Sequence, residues 1–581
     1  MKLHLIFGVL ISVFVLEVAK ITAIDTQADP AKVDIVFVVD KSGSVGKKNF
    51  EFIKNFLEMF TEYFPVFPSK ARVAIVSFST YVRQEFNFNN HKNKECLRRA
   101  IKKMRYTSGR TSTGNALEFV RAQLIFNTKA GARENVRKII FVITDGRSNL
   151  GVDPAIPSKK LRENDNLTIV TLGVTNKINQ TELHRIASSS SNVFHLKDFA
   201  ALKNLTLLLK NDLSSKCKNG DTVMDTCGRR CTCKEGTLIN CCRLRKEFTQ
   251  LTQDERIRYL NTVKTASTNL KYKKKYEQLL TLHMELFLRG INMKEFFLSW
   301  NRWFILQYEN LLQQIDCRVT VPYWEWTLVA ANPFGSDFWN QGHGFGRNGS
   351  PPKHCVTTGP FQKGKWSLIR SAKGGCLKRN FSGRFPDAIT LASLLTSTSD
   401  PKDFLKFEKQ LRIVFHNEVH CQIGGTMCTR SSAAAPEFFP HHAFIDKIWS
   451  DWQKKGNSNK FNTFFQKQKE RMPATRHRSR DFLDLANQPD CICTEYENVV
   501  NNVSRILEGL TLPELLKIPR LPLPLLSDNA TALFHTSSTE LKEVSKLQAT
   551  VAPKQVLHEE SLNGTDAINL GFRPNDVFNA V

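Results

Sequence analysis

Beyond its first two dozen residues the chain has no apolar run approaching the ~20 residues a membrane span requires, which excludes an internal transmembrane helix. It is also short of acid, with 55 Asp and Glu against 82 Lys and Arg and a formal charge of +27. An excess of that sign favours polyanionic partners. Glycine (29) and proline (22) are too few among 581 residues for a collagenous or low-complexity chain. What is present, 41% hydrophobic and 24% charged residues, is a globular composition. At roughly 100–200 residues per domain the length suggests three or four units.

The opening stretch MKLHLIFGVLISVFVLEVAKITA (1–23) sets Lys2 before an apolar run and ends on small residues around Ala19 and Ala23. This is the pattern of a cleaved secretory signal, with a retained anchor as the alternative. Fourteen cysteines, an even number, suit disulfides in an oxidising compartment. Asn-x-Ser/Thr triplets at Asn166, Asn179, Asn204, Asn348, Asn380, Asn502, Asn529 and Asn563 would serve as glycosylation acceptors in a secreted protein. Secretion to the extracellular matrix sets nucleic acid aside as a partner. The positive charge is then assigned to acidic matrix proteins and sulfated polysaccharides, or to an ordinary solvated surface.

From residue 33 to about 212, short β-branched runs alternate with helical patterns. VDIVFVVD (33–40), ARVAIVSF (71–78), RKIIFVITD (137–145) and LTIVTLGV (167–174) read as strands of a buried parallel sheet, giving a doubly wound α/β domain. Ligands of such sheets sit at the carboxyl ends of the strands. There DKSGS supplies Asp40, Ser42 and Ser44, GRTSTG supplies Thr111, and ITDG supplies Asp145. Hydroxyls and carboxylates are hard oxygen donors suited to Mg²⁺ or Mn²⁺, with a position left open for a partner's acidic side chain. The three segments in this order resemble the metal-ion-dependent adhesion site of the von Willebrand factor type A family. The resemblance implies binding to acidic or collagen-like matrix proteins through a bridging metal.

Residues 217–242 hold six cysteines among glycine and polar spacers, expected to form a small disulfide knot, with zinc ligation by Cys227 and Cys231 or Cys233 as the alternative. The segment resembles the cysteine-rich lead-in of some invertebrate tyrosinase-like domains. From 243 to 494 the pattern is mainly helical. KKYEQLLTLHMELF (274–287) places Leu279, Leu280, His283 and Phe287 on one helical face. VFHNEVHCQIGG puts His416 and His420 four residues apart, and FFPHHAFIDKIWSDW adds His441 and His442. Imidazoles converging from two helices can hold one copper ion with a position left open.

These last two segments resemble the second copper site of tyrosinases and molluscan haemocyanins, and FFLSWNRWFILQYENLL (296–312) resembles their first. The likeness, which includes VPYWEW, implies a mainly α domain around a four-helix bundle. It assigns the second site to His416, His420 and His442, and gives Asn417 a part in orienting a ligand or activating substrate. At the first site it finds His283, but the other two ligand positions fall at or near Asn292 and on Asn301. A neutral amide offers a weak oxygen donor where imidazole nitrogen is needed. The expectation is a secreted matrix protein with one copper site retained, one degenerate, and little or no phenoloxidase activity. An active copper oxidoreductase acting on phenols or catechols is the alternative, and oxygen transport, which also needs two coppers, is a third. His343, His354 and His477 are the remaining histidines of this domain that could be asked to substitute. The last segment, 495–581, is rich in Leu and Pro without helical period, and is expected to be partly disordered and free of nameable chemistry, with a strand or short helix docked on the preceding domain as the alternative.

Overall fold

The computed structural model describes residues 32–551, except 63, 65, 69, 92, 177, 215–216, 235–236, 288–290, 292–295, 462–465, 500–505, 508 and 519–525. The expected signal segment (1–23) therefore lies outside the described residues, as do Asn292, Asn502 and Asn563. Two compact units emerge, Met1–Asp225 with Arg230–Cys241, and Thr226–Arg229 with Cys242–Val581.

In the first unit six strands form one sheet in the order β3-β2-β1-β4-β5-β6: β1 (Val33–Asp40), β2 (Ala71–Phe78), β3 (Val82–Phe86), β4 (Arg137–Thr144), β5 (Leu167–Val174) and β6 (Val193–Leu196). All neighbours run parallel except β2 and β3, which form an antiparallel hairpin. The sheet is therefore mixed where a purely parallel one was expected. Strand β3, VRQEF, is mostly exposed, so it lacks the apolar run that marks its buried neighbours. Along β1 the odd residues Ile35, Phe37 and Val39 pack into one core and the even residues Val36 and Val38 into another. Both faces are covered, chiefly by helices such as α1 (Gly46–Thr61) and α2 (Thr113–Phe119), which is why the strands read as continuous apolar runs. The order reverses between β1 and β4, and the crevice at their carboxyl ends is the topological switch point.

The cysteine-rich segment is not a self-contained knot. Cys217 pairs with Cys233 and Cys231 with Cys241, but Cys227 and Cys242 pair with Cys317 and Cys493 of the second unit's main body. With these sulfurs oxidised, the zinc alternative fails, because a zinc ligand must be a thiolate.

The second unit is built on four helical segments, α3 (Leu270–Leu286), α4 (Phe297–Leu312), the run Leu411–Ile423, and α5 (Phe438–Gln453). Its core is unusually aromatic, with Trp300, Trp324, Trp326, Trp339, Trp449 and Trp452 all fully buried. A buried ion network crosses this core. Asp446 of α5 accepts from Arg302 Nε at 2.6 Å, from Arg245 Nη1 at 3.4 Å and from the Tyr496 hydroxyl at 2.6 Å. Arg245 also donates to Glu309 at 3.0 Å, as does Arg243. Burial alone would raise the Glu309 carboxyl, but Arg245 and Arg243 hold it below the usual range.

The Leu/Pro-rich extension is more ordered than its sequence suggests. Helices form at Leu512–Leu515, Asp528–Leu533 and Ser538–Val551, and the Ser527 amide and hydroxyl both donate to Glu418, at 2.9 and 3.1 Å. Two of these helices, of four and six residues, are too short to display a period. Removing the carboxylate at the centre of the ion network, Asp446→Ala, should lower stability by about 3–5 kcal/mol because the buried Arg302 guanidinium loses its counter-charge and Arg245 keeps only Glu309. Urea unfolding of the full chain measures this, and a loss under 1 kcal/mol would show that the network is not structural.

Candidate metal centres

At the switch point of the first unit, three loops bring oxygen donors together. Asp40 ends β1, fully buried, and its carboxylate accepts from the Ser42 amide at 2.8 Å and the Thr144 hydroxyl at 2.6 Å. The Ser42 and Ser44 hydroxyls lie 3.0 Å apart, and Ser44 donates to Asp145 at 2.8 Å. The loop carrying Thr111 is tied to this turn by Gly43 N donating to Gly109 O at 2.8 Å. It is tied to the loop after β4 by Thr111 N donating to the Asn149 side chain at 2.9 Å. Gly109 has φ +111 and a Cβ there would meet Thr80 Oγ1 at 2.5 Å, so this loop closes only around glycine. Desolvation raises the Asp40 carboxyl despite the hydrogen bonds that oppose it. A buried carboxylate with no counter-charge among the described residues, near hydroxyls and a second carboxylate, fits a hard divalent cation.

In the second unit four imidazoles meet. His416 and His420 lie on Leu411–Ile423, a run that is π-helical through Asn417 and α-helical after it, and His441 and His442 lie in the first turn or so of α5. His442 Nε2 is 3.1 Å from His416 Nε2 and 3.0 Å from His420 Nε2. The other ring nitrogens of the first pair are engaged: His416 Nδ1 with Asn417 Oδ1 at 2.8 Å, and His420 Nδ1 with the Met427 carbonyl at 3.0 Å. Since a carbonyl oxygen only accepts, both Nδ1 atoms carry the proton and both Nε2 lone pairs point inward. The Cys421–Cys428 disulfide closes the turn that presents Met427. His441 also brings a ring nitrogen within 4.8 Å of donor atoms of His416 and His420. Its Nδ1 already accepts the Trp326 indole N–H at 3.3 Å, so the shorter distances favour His442 as the third member of the trio.

His283 of α3 is buried, and among the described residues neither of its ring nitrogens is hydrogen-bonded. Its ring lies among Phe287, Trp300, Phe304 and Phe438, with centroids 4.9–5.9 Å away. Asn301 of α4 turns its amide back on its own helix, Nδ2 donating to the Phe297 carbonyl at 2.7 Å, and leaves Oδ1 unpaired.

The family model "von Willebrand factor type A domain" matches residues 34–207, and "Common central domain of tyrosinase" matches residues 273–455. The chain carries a von Willebrand factor type A domain and a tyrosinase central domain. It is 33% identical over 191 residues to a collagen alpha-1(XII) chain of Notophthalmus viridescens, covering 32% of this chain and 20% of that one. With matrilin-1 of Gallus gallus it shares 36% over 174 residues, 30% of this chain and 34% of that. A tyrosinase of Streptomyces lincolnensis is 29% identical over 274 residues, 43% of this chain and 89% of the bacterial protein. The chain thus spans only a fifth to a third of these two matrix relatives, and as little as 6% of a collagen alpha-5(VI) chain of Mus musculus. Among solved structures, proximal thread matrix protein 1 from the mussel byssus matches at 22% identity and TM-score 0.29, over 41% of this chain and 59% of that one.

The tyrosinase domain presents three inward imidazoles for one copper, and that donor set fits the ion. The remainder of the first site does not fit a second: the structure places His283 in an aromatic box and hydrogen-bonds Asn301 to its own helix. Of the other histidines, His343 faces Asp337 at 3.3 Å and His477 packs on Phe482. Sequence reasoning missed Phe534, whose ring lies 5.6 and 5.7 Å from His416 and His420. Nothing in the tail's sequence marks it, because its position depends on how the Asp528–Leu533 helix docks.

Burial holds His420 down at about 4, and burial with the nearby His420 holds His283 at about 3, against ~6.5 for an open imidazole. The unfolded chain therefore takes up protons that the folded one refuses. The stability these groups contribute is complete above about pH 6.5 and is lost as pH falls toward 4 and below. For the metal-stripped chain, urea midpoints should drop between pH 7 and pH 4.5. His283→Leu should add about 1–3 kcal/mol of stability at pH 7, read as a higher midpoint, by removing two orphaned buried nitrogens, and should shallow the acid slope. A lower midpoint in that variant would mean that His283 has a partner.

Proposed function

We propose that the protein is a secreted extracellular-matrix component whose type A domain binds acidic or collagen-like partners through Mg²⁺ or Mn²⁺. In the same proposal the tyrosinase domain holds one copper, on His416, His420 and His442, and serves as a binding or structural unit. The observation that carries the second half is the surroundings of His283, whose ring sits among aromatic side chains 6.5 Å from the His442 ring, with the Asn301 amide spent on its own helix. Oxidation of phenols or catechols by dioxygen, as the family performs it, draws on two coppers. This chain orients imidazoles for one.

The first half draws support from the convergence of Asp40, Ser42, Ser44 and Asp145 and from the likeness to collagen chains and matrilin-1. Secretion is supported by the absence of a free cysteine among the described residues and by the exposure of Asn166, Asn204, Asn348, Asn380 and Asn529. Asn179 differs, since its side chain caps a helix through the Glu182 amide. Asn417 is proposed to orient His416, the role its 2.8 Å hydrogen bond serves.

The second reading, an active copper oxidoreductase, is favoured by the intact trio and by a likeness covering 89% of the bacterial tyrosinase. Copper per chain and DOPA oxidation, measured together on the full chain and on Asn292→His/Asn301→His, separate the two. One copper, no turnover, and a second copper gained only in the variant are expected. Two coppers with turnover in the native chain would establish the oxidoreductase. For the adhesion site, Asp40→Ala should abolish divalent-dependent binding to a collagen-coated surface while leaving far-UV circular dichroism unchanged. Binding that survives both this change and chelation would reduce the contact to simple charge attraction.

A further inference from the structure

The positive charge of the tyrosinase domain is gathered rather than spread. Residues 338–386 contain nine Lys or Arg and no Asp or Glu, and residues 256–276 contain seven Lys or Arg and again no acid. The fold lays parts of these two acid-free segments together. The Trp366 indole N–H donates to the Ser267 hydroxyl at 2.9 Å, and the Thr281 and Ser371 hydroxyls lie 2.7 Å apart. The loop from Lys363 to Lys373 therefore runs beside the junction at Asn269 and the first three turns of α3.

Lys271, Lys273, Lys274 and Lys275 of α3 are exposed, the first, third and fourth of them on one side of the helix, and so are Lys363, Lys365, Arg370 and Lys373 of the loop. Their contacts are with neutral groups: the Lys271 ammonium sits 5.1 Å from the Tyr272 ring centroid, and Lys275 reaches the Gln314 side chain at 3.5 Å. Among the described residues no ion pair to any of the eight is found, whereas elsewhere in the same unit Lys447, Lys454 and Lys460 all meet carboxylates. Seven of the eight are lysines. An ammonium is a compact point charge without the fork that reads a single carboxylate or phosphate in two contacts, so a lysine cluster suits a polymer of closely repeated charge.

We propose that this face binds a sulfated polysaccharide, a linear polyanion laid across the α3 lysines and the Lys363–Lys373 loop. The inference rests on the reading of the chain as a matrix component and gives that reading a location. It assigns the polyanion to the tyrosinase domain and leaves the metal-dependent site of the type A domain to protein partners.

The test is salt elution of the full chain from immobilised heparin, with a column of unsulfated hyaluronate beside it. Lys271→Glu/Lys274→Glu/Lys275→Glu forms one variant and Lys363→Glu/Lys365→Glu/Lys373→Glu an independent second. Lys129→Glu/Lys159→Glu/Lys160→Glu, on the first unit, makes the same change in net charge. Native chain should elute from heparin well above physiological salt, and each face variant should elute earlier by about 0.1 M NaCl or more, with the control shifted far less. Equal shifts in all three variants would overturn the proposed face while leaving general polyanion binding in place. Failure of the native chain to bind heparin would remove the polyanion part of the matrix reading itself. Equal retention on hyaluronate would overturn the sulfated class in favour of a carboxylate polymer.

Discussion

One carboxylate ties the tyrosinase domain together. Asp446 receives Arg302 from α4, and Arg245 and Tyr496 from the two strands that pair beside the helices, all out of water. Ions so deeply buried are stable only while every partner is in place, so the network sets the relation of α4 to α5 within narrow limits. Asp446 lies one turn from His442, and Arg302 lies next to Asn301. The placement of His442 and of Asn301 is therefore tied to an ion network that needs no metal. This explains how an amide can stand at Asn301 while His442 keeps its Nε2 within 3.1 Å of those of His416 and His420.

The two candidate centres solve the same problem with opposite chemistry. In the type A domain, parallel strands deliver carboxylates and hydroxyls to a common edge, and the cost of desolvating Asp40 creates a demand for positive charge. In the tyrosinase domain, burial keeps imidazoles neutral and carbonyl acceptors fix their tautomers, so lone pairs rather than charges face the centre. The first suits a hard ion exchangeable with solvent. The second suits a borderline ion held on one side by aromatic rings, with Phe534 of the C-terminal extension among them.

Much of this was legible from residues alone. β1, β2 and β5 span the same residues as the runs read from sequence, because strands buried on both faces are near-continuously apolar, with single polar residues such as Thr171 tolerated within them. The loops that gather oxygen donors were legible because Asp40 and Asp145 follow directly from the apolar runs of β1 and β4. By contrast β3 is exposed and carries no such run, and the short helices of the extension take their shape from what they dock on.

What the sequence by itself determined was the identity and supply of donors: oxygen at Asp40, Ser42, Ser44, Thr111 and Asp145, nitrogen at His416, His420 and His442, and amide in place of imidazole at Asn301. Tertiary structure alone decided how those donors are used. Tautomers, the orphaned nitrogens of His283, the outward pairing of Cys227 and Cys242 and the meeting of two acid-free segments all depend on contacts between residues far apart in the chain. Periodicity reports only which face a residue occupies. The partner on that face is set by packing.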